Sequence, residues 1–201
     1  EIGRGAQSRW LVHARQADAK GERMYLFNPA DGSTREILGE LGFEQNRQPV
    51  DALPAAQLAL KLPVSWRASD GMRLHGFVLL PPGVDARRAP LIANVHGGPF
   101  NLFRPEFGAQ SQMLANRGYV VFEPNFRGST GLGRDYLLAA NGDFGNGRVQ
   151  LDIVEGVRHL LAQGIGDPDR LGILGASFGG YSALLGVTFQ PELFKVGVAP
   201  V

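Results

Sequence analysis

The sequence predicts an α/β fold in which a mostly parallel β-sheet carries helices on both faces. Between residues 91 and 200, short apolar runs of strand length alternate with longer runs of helix length, and such alternation is typical of parallel sheets. Two of the predicted strands end in glycine-rich loops, at 96–99 and at 175–180. A length of 201 residues with 44% hydrophobic residues is sufficient for one core of reasonable size and little more.

The elements of this sheet are predicted in order along the chain. A hairpin about Asp70-Gly71 joins strands at 64–69 and 72–80 and opens the sheet. Further strands are predicted at 91–95, 119–123, 171–174 and 195–200, and helices at 105–116, 150–163 and 178–189. The helix at 150–163 has the clearest pattern, because its apolar residues recur on one face while Asp152 is expected off that face, in the first helical turn.

The N-terminal part differs in character from the rest of the chain. Residues 8–38 contain three short strand-like runs, at 9–13, 24–27 and 34–38, and the last two flank a hairpin turn at 28–32. Such strands do not bury an apolar face by themselves. One interpretation is a hairpin extension of the α/β domain, and the Gly, Pro and Ala mixture of 39–63 is interpreted as a linker.

Composition excludes several classes of function. The 20 basic and 19 acidic residues are interspersed and leave a formal charge of +1, which argues against a nucleic-acid partner. The sequence has no cysteine and no metal-ligand spacing among its histidines and acids, so neither a metal nor another cofactor is expected. No apolar run reaches the length of a membrane span, and no signal peptide is visible. Because the chain begins with Glu1 rather than Met, these observations leave the compartment open between cytoplasm and periplasm.

Residues 175–179 match the pattern G-x-S-x-G, which is typical of a nucleophile elbow. A predicted buried strand precedes the motif and a predicted buried helix follows it, as an elbow requires. Glycine is needed at 175 and 179 because side chains there would collide with the neighbouring strand and helix. Ser177 is therefore the candidate nucleophile, and the backbone N–H of Phe178 is a candidate oxyanion donor. The alternative is a glycine-rich strand–helix turn with an incidental serine.

The segment His96-Gly-Gly-Pro99 follows the predicted strand 91–95, where hydrolases of this kind place the second oxyanion donor. The N–H of Gly98 is the candidate, and such a donor is typically worth about 3–4 kcal/mol of transition-state stabilisation. His96 precedes the serine, whereas α/β-hydrolases place the catalytic histidine after it. A loop histidine that bonds the backbone is therefore favoured over a proton-transfer role.

Four further residues have two interpretations each. Arg127 either contacts a substrate carboxylate or carbonyl or supports its own loop, and the second is favoured. Phe100 and Tyr181 either line a pocket or belong to the core. Asp152 precedes the serine and is interpreted as a helix residue rather than a catalytic acid. The segment 128–133 reverses the spacing of a dinucleotide-binding loop, so nucleotide binding is excluded.

Taken together, these motifs resemble the prolyl oligopeptidase family of serine peptidases, and its acylaminoacyl-peptidase-like branch in particular. The resemblance covers roughly residues 60–201 and rests on four segments that occur in the family's order: His96-Gly-Gly-Pro99, Asn125-Phe-Arg-Gly-Ser-Thr-Gly131, Gly164-Ile-Gly-Asp-Pro-Asp-Arg170 and Gly175-Ala-Ser-Phe-Gly-Gly-Tyr181. It implies an α/β-hydrolase catalytic domain behind a β-propeller that admits short peptides. It implies that Ser177 is the nucleophile and that the N–H groups of Phe178 and Gly98 form the oxyanion hole.

With this resemblance, residues 1–40 are predicted to be the end of a β-propeller domain, 41–63 a linker, and 64–201 the N-terminal part of the hydrolase domain. The sequence departs from the family because no Asp or His follows Ser177, and all four histidines precede it. The triad acid and base are therefore expected downstream, in a missing remainder of the protein. The chain alone is then expected to be inactive.

Two alternatives to a peptidase acting on short peptides remain open. One is an esterase of the same fold, and the other is a non-catalytic fragment of the peptidase. The strand at 195–200 would also leave a hydrophobic sheet edge uncovered. The chain is therefore expected to need a partner segment, which is either the remainder of its own domain or a second copy in a homo-oligomer.

Overall fold

The computed structural model describes residues 8–15, 22–37 and 54–200. In the first two ranges, β1 (Trp10–Arg15), β2 (Glu22–Phe27) and β3 (Thr34–Glu36) form an antiparallel sheet in the order β1-β2-β3. The turn between β2 and β3 lies at the predicted place, where the N–H of Gly32 donates to the carbonyl of Asn28 at 2.9 Å. These strands confirm the antiparallel character of the segment. Its assignment to a propeller remains a prediction, and most of the predicted linker lies outside the described residues.

The main sheet has six strands in the order β4-β5-β7-β6-β8-β9. The strands β4 and β5 form a hairpin, and β5 is also antiparallel to β7. From β7 onward all pairings are parallel, which confirms the mostly parallel sheet. The bounds are β4 Leu60–Arg67, β5 Arg73–Leu80, β6 Leu91–Val95, β7 Val120–Asn125, β8 Leu171–Gly175 and β9 Val196–Val198.

Helices cover both faces of this sheet. Their bounds are α1 Ala109–Asn116, α2 Arg134–Leu138, α3 Arg148–Ala162 and α4 Phe178–Phe189. The helices α3 and α4 contact each other and pack on one face, over the larger core. The helix α1 packs on the opposite face against a small cluster formed by Ala59, Leu79, Ala115 and Val121.

Most predicted bounds differ from the structure by one or two residues, two elements begin four residues away from their predicted start, one strand is half as long as predicted, and one helix was not predicted. The strand β4 begins at Leu60, inside the predicted linker, because Pro63 is compatible with an edge strand although it argues against a central one. The helix α1 begins at Ala109 rather than at 105, and β9 has three residues rather than six. The helix α2 has only five residues and lies inside a glycine-rich loop, and five residues are too few to show a hydrophobic periodicity.

The larger core is centred on an edge-to-face contact between Trp66 and Phe122, with ring centroids 5.3 Å apart. The helix α3 approaches this pair through Gly156, where an added Cβ would lie only 2.6 Å from Cζ of Phe122. The indole N–H of Trp66 donates to the carbonyl of Asp152 at 3.1 Å. These contacts fix α3 at close range over the sheet.

The opposite face contains a buried ion pair. Lys61 Nζ lies 2.7 Å from Glu123 Oε2, and the two side chains are 3% and 1% exposed. Ser111 on α1 donates to the other carboxylate oxygen at 2.6 Å, and Lys61 also donates to the carbonyl of Glu106 at 3.2 Å. The pair therefore joins β4, β7 and α1 through groups that have no access to water.

Replacing Lys61 alone is expected to destabilise the fold strongly. Lys61→Met leaves the Glu123 carboxylate buried without its cation, and such changes typically cost about 3–5 kcal/mol. The double variant Lys61→Met with Glu123→Gln removes both charges, keeps an acceptor for Ser111, and is expected to regain most of that loss. Chemical denaturation of the three proteins tests this. A single variant as stable as wild type, or a double variant no better than the single, would contradict it.

Candidate active site

The strand β8 ends at Gly175 and the helix α4 begins at Phe178, so the predicted nucleophile lies on a two-residue turn between them. Ser177 is exposed at this turn and has φ 54° and ψ −121°. A positive φ is strained for a residue with a Cβ and typically costs about 1–3 kcal/mol. The surrounding structure therefore holds the serine in a conformation that it would not adopt alone.

The two motif glycines show what holds the turn in place. A Cβ on Gly175 would lie 2.5 Å from the carbonyl oxygen of Val95 and 2.6 Å from Cα of Gly179. A Cβ on Gly179 would overlap the same carbonyl oxygen of Val95. The turn is thus packed backbone to backbone against the end of β6, and the G-x-S-x-G spacing is a steric requirement of that contact.

Two backbone N–H groups are available beside the serine. Phe178 is the first residue of α4, where N–H groups have no intrahelical acceptor and the helix dipole favours negative charge. Within residues 54–200, no protein group accepts from the N–H of Phe178 or from that of Gly98. A Cβ on Gly97 would lie 3.5 Å from Cβ of Ser177 and 3.1 Å from the carbonyl oxygen of Ala176. The glycine-rich loop after β6 therefore lies directly against the serine turn.

His96 is buried at the start of that loop, and both of its ring nitrogens are engaged. Nδ1 lies 2.9 Å from the carbonyl oxygen of Gly97, and Nε2 lies 2.9 Å from Oγ of Ser129. Burial lowers the pKa of His96, so the neutral ring is favoured. These bonds support the interpretation of His96 as a loop histidine rather than a proton-transfer group.

Arg127 supports its own loop through two carboxylates. Its Nε and one terminal nitrogen donate to Asp152 at 2.8 and 2.9 Å, and its backbone N–H donates to the same carboxylate at 3.0 Å. The guanidinium also donates to Asp70 at 2.7 and 3.1 Å. With its guanidinium bonded to both carboxylates and its side chain almost completely buried, Arg127 is engaged within the fold rather than presented to a substrate.

The placement of Asp152 corrects the expectation from helical periodicity. The residue is completely buried and lies in the second turn of α3, not off the packed face in the first turn. Burial raises the pKa of this carboxyl, and the hydrogen bonds from Arg127 oppose that rise. Arg127 and Asp152 lie 25 residues apart in the sequence, so no local pattern pairs them. Only the fold brings them together.

Aromatic rings surround the helix start. The ring of Phe178 has its centroid 5.5 Å from that of Phe126, 5.9 Å from that of Phe144 and 6.1 Å from that of Tyr181. Phe100 meets Phe144 edge to face at 5.7 Å. Phe100 and Tyr181 are 60% and 47% exposed, so neither ring lies in the core. Phe144 was not identified from the sequence, because no motif includes it.

The described part of the chain lacks a side-chain partner for the Ser177 hydroxyl, a metal-binding cluster and a membrane-spanning helix. Within residues 54–200, no side chain is hydrogen-bonded to the hydroxyl of Ser177. The described ranges contain no cluster of three or more histidines or acids that would hold a metal ion. They also contain no helix with the length and apolarity needed to cross a bilayer.

A strained serine at a strand–helix turn of a mostly parallel sheet is typical of the α/β-hydrolase fold. Comparisons with known proteins identify the family within this fold. The sequence model of the prolyl oligopeptidase family matches residues 105–201. Together with the relatives described next, this match shows that the chain belongs to the prolyl oligopeptidase family.

Among sequence relatives, dipeptidyl aminopeptidase BIII of Pseudoxanthomonas mexicana is 38% identical over 153 residues, which are 73% of this chain and 22% of that protein. Among solved structures, Pyrococcus horikoshii acylaminoacyl peptidase matches with a TM-score of 0.74 and 26% identity, over 99% of this chain and 31% of the other. A puromycin-hydrolyzing peptidase of Mycobacterium tuberculosis matches with a TM-score of 0.75 and 25% identity, over 92% and 28%. The chain spans about a fifth of the length of the curated relatives it matches.

The network of Arg127 predicts a pH dependence of stability. Hydrogen bonds from Arg127 hold the pKa of Asp70 well below its ordinary value of 3.8. A depressed pKa in the folded state contributes stability that is present above the unfolded value and is lost as the pH falls through the folded value. Asp70→Asn is therefore expected to lower the free energy of unfolding near pH 7 by roughly 0.5–1 kcal/mol, since the carboxylate is partly exposed.

The difference between wild type and Asp70→Asn is expected to shrink as the pH falls below 3.8. Urea denaturation at a series of pH values measures it. Asp169→Asn is the matched control, because it removes an exposed carboxylate outside this network. A difference that stays constant with pH, or an equal effect of the control, would be the contrary result.

Proposed function

We propose that this chain carries the nucleophile and oxyanion hole of a serine peptidase that hydrolyses short peptides through an acyl-enzyme intermediate. Ser177 Oγ attacks the scissile carbonyl carbon, and the N–H groups of Phe178 and Gly98 donate to the oxygen that becomes negative. The observation that supports this most is the strained Ser177, which is followed directly by the free N–H of Phe178 and lies against the loop that contains Gly98. An incidental serine would have no reason to occupy such a conformation.

A downstream histidine and aspartate complete the proposed mechanism. The histidine takes the proton of Ser177 and returns it to the leaving amine, and the aspartate orients the histidine. We propose that polypeptide outside these 201 residues contributes both, since no Asp or His follows Ser177 in the sequence. The exposed strand β9, with Val196 and Val198 open to solvent, is the place where further parallel strands would continue the sheet.

Short peptides are the proposed substrate class. This substrate class is supported by the similar proteins, which include a dipeptidyl aminopeptidase, an acylaminoacyl peptidase and a puromycin-hydrolyzing peptidase. The exposed rings of Phe100 and Tyr181 lie on the aromatic cluster around Phe178 and suit an apolar substrate side chain. Residues 8–37 are proposed to end a propeller that limits substrate size.

Ser177→Ala is expected to abolish hydrolysis of short peptide anilides by the complete polypeptide that carries this chain. Loss of an activated nucleophile costs on the order of 10⁶ in rate in a well-studied serine protease. A fluorophosphonate probe followed by mass spectrometry is expected to place one adduct on Ser177. Ser33→Ala is the control, because it makes the same truncation at an exposed serine between β2 and β3.

The alternatives predict different results. An esterase would cleave p-nitrophenyl esters and leave peptide anilides intact. Turnover that survives Ser177→Ala, or an adduct on another serine, would overturn the proposed mechanism. The 201-residue chain by itself is expected to show no useful turnover, because its serine has no base. Robust activity of that chain would overturn the assignment of the base to outside polypeptide.

A further inference from the structure

We propose that Asn141 is a site of spontaneous covalent modification, at which its side-chain amide is lost and the backbone of the loop before α3 is lengthened. The site is the pair Asn141-Gly142, which lies exposed between α2 and α3. The reaction needs water as its co-reactant and no enzyme. Its consequence for activity rests on the proposed function, because the same loop carries Phe144 of the aromatic cluster.

The reaction is an attack by a backbone nitrogen on the preceding side chain. The nitrogen of Gly142 bonds to Cγ of Asn141, the bond from Cγ to Nδ2 breaks, and the side-chain nitrogen leaves as ammonia with the amide proton of Gly142. Water then opens the cyclic imide. Opening at Cγ gives aspartate, whereas opening at the main-chain carbonyl gives isoaspartate, in which the backbone runs through Cβ and Cγ. Both products carry a new negative charge.

The local structure leaves the reacting groups of this pair accessible. Gly142 has no side chain that would shield its nitrogen, and both residues are exposed. Among the residues from 54 to 200, no group accepts from the N–H of Gly142 and none is hydrogen-bonded to the side chain of Asn141. Asn141 has φ 45° and Gly142 has φ 78°, a left-handed turn that favours asparagine and glycine. The turn therefore explains the residue types and leaves both reacting groups free.

Backbone hydrogen bonds at the surface of the loop hold the turn closed. The N–H of Asn141 donates to the carbonyl of Leu138 at 2.9 Å, and the N–H of Asp143 donates to the carbonyl of Ala140 at 2.8 Å. Exposed bonds of this kind open at a low cost in free energy. Opening of the turn gives the nitrogen of Gly142 access to Cγ of Asn141.

A second Asn-Gly pair in the same loop lacks this freedom. The side-chain oxygen of Asn146 accepts from Nε2 of Gln190 at 3.2 Å, so this bond must break before Cγ of Asn146 reacts. The carboxylate of Asp143 accepts from the N–H of Arg148 at 2.7 Å, and a Cβ on Gly147 would overlap this carboxylate. A negative charge therefore lies beside the nitrogen that would have to attack. Two chemically alike pairs are expected to react at different rates.

Isoaspartate at the first pair would act on the aromatic cluster. Its extra backbone carbon lies between Ala140 and Asp143, whose hydrogen bond closes the turn, and Phe144 follows directly. Phe144 meets Phe178 and Phe100 edge to face at 5.9 and 5.7 Å. Displacement of Phe144 weakens these contacts and changes the surface proposed for an apolar substrate side chain.

Ageing of the complete polypeptide in mildly alkaline buffer, with mass spectrometry of its peptides at intervals, tests the site. We expect Asn141 to gain one dalton and to yield isoaspartate, and Asn146 to react about tenfold more slowly, because its hydrogen bond and the adjacent carboxylate protect it. In urea, where the fold is absent, the two pairs are expected to react at similar rates. Equal rates in the folded protein, the same difference in urea, or reaction at Asn141 only after unfolding would overturn the proposal.

Asn141→Gly measures the consequence for activity, because glycine adopts a positive φ without strain and has no amide to lose. After ageing, we expect KM for anilides with an apolar side chain to rise about threefold in wild type, as weakening of one aromatic contact would cause, and to stay unchanged in Asn141→Gly. Freshly prepared Asn141→Asp has the charge without the extra carbon and is expected to keep the wild-type KM.

These measurements separate the inference from the function on which its consequence rests. An equal rise of KM in aged wild type and aged Asn141→Gly, or a raised KM in fresh Asn141→Asp, would overturn the effect of the lengthened backbone on the cluster. The mass measurement does not depend on activity. Turnover that survives Ser177→Ala would therefore overturn the proposed function and leave the modification site in place.

Discussion

The close approach of two backbones at the ends of β6 and β8 is the constraint on which the rest of the site depends. The carbonyl of Val95 occupies the space where Gly175 and Gly179 would carry their Cβ atoms. This contact forces the chain to turn sharply at Ser177, and it brings the loop after β6 against the same turn. The positions of Ser177, the proposed nucleophile, and of both proposed oxyanion donors therefore depend on the same backbone contact.

The loop after β7 stabilises this arrangement from the side. Arg127 is bonded to Asp152 on α3 and to Asp70 on the turn between β4 and β5, so its loop is held to two separate elements. Ser129, two residues further on, reaches His96 from this rigid loop. The ion pairs of Arg127 thus have a structural role near the site. Without them the loop after β7 would be mobile, and it would no longer hold the glycine-rich segment at 96–99 in place.

The sequence predicted the order of the sheet elements and the strand–helix turn that carries Ser177, because both depend on local patterns. Apolar runs, turn residues and the spacing of Gly175, Ser177 and Gly179 are all contained within short windows. The pairing of Arg127 with Asp152 and the bond from Ser129 to His96 join residues 25 and 33 positions apart. Periodicity placed Asp152 off the packed face because it treats a charged residue as exposed. A charged residue can be buried when it forms an ion pair, and the partner of Asp152 is visible only in the three-dimensional structure.

The most direct test of the central claim is a crystal structure of the complete polypeptide after reaction with a fluorophosphonate. The account predicts phosphorus bonded to Ser177 Oγ, with the phosphonyl oxygen about 2.7–3.1 Å from the backbone nitrogens of both Phe178 and Gly98. An adduct on Ser177 whose phosphonyl oxygen turns to solvent, or a Gly97 carbonyl that points at the phosphonyl oxygen, would contradict it.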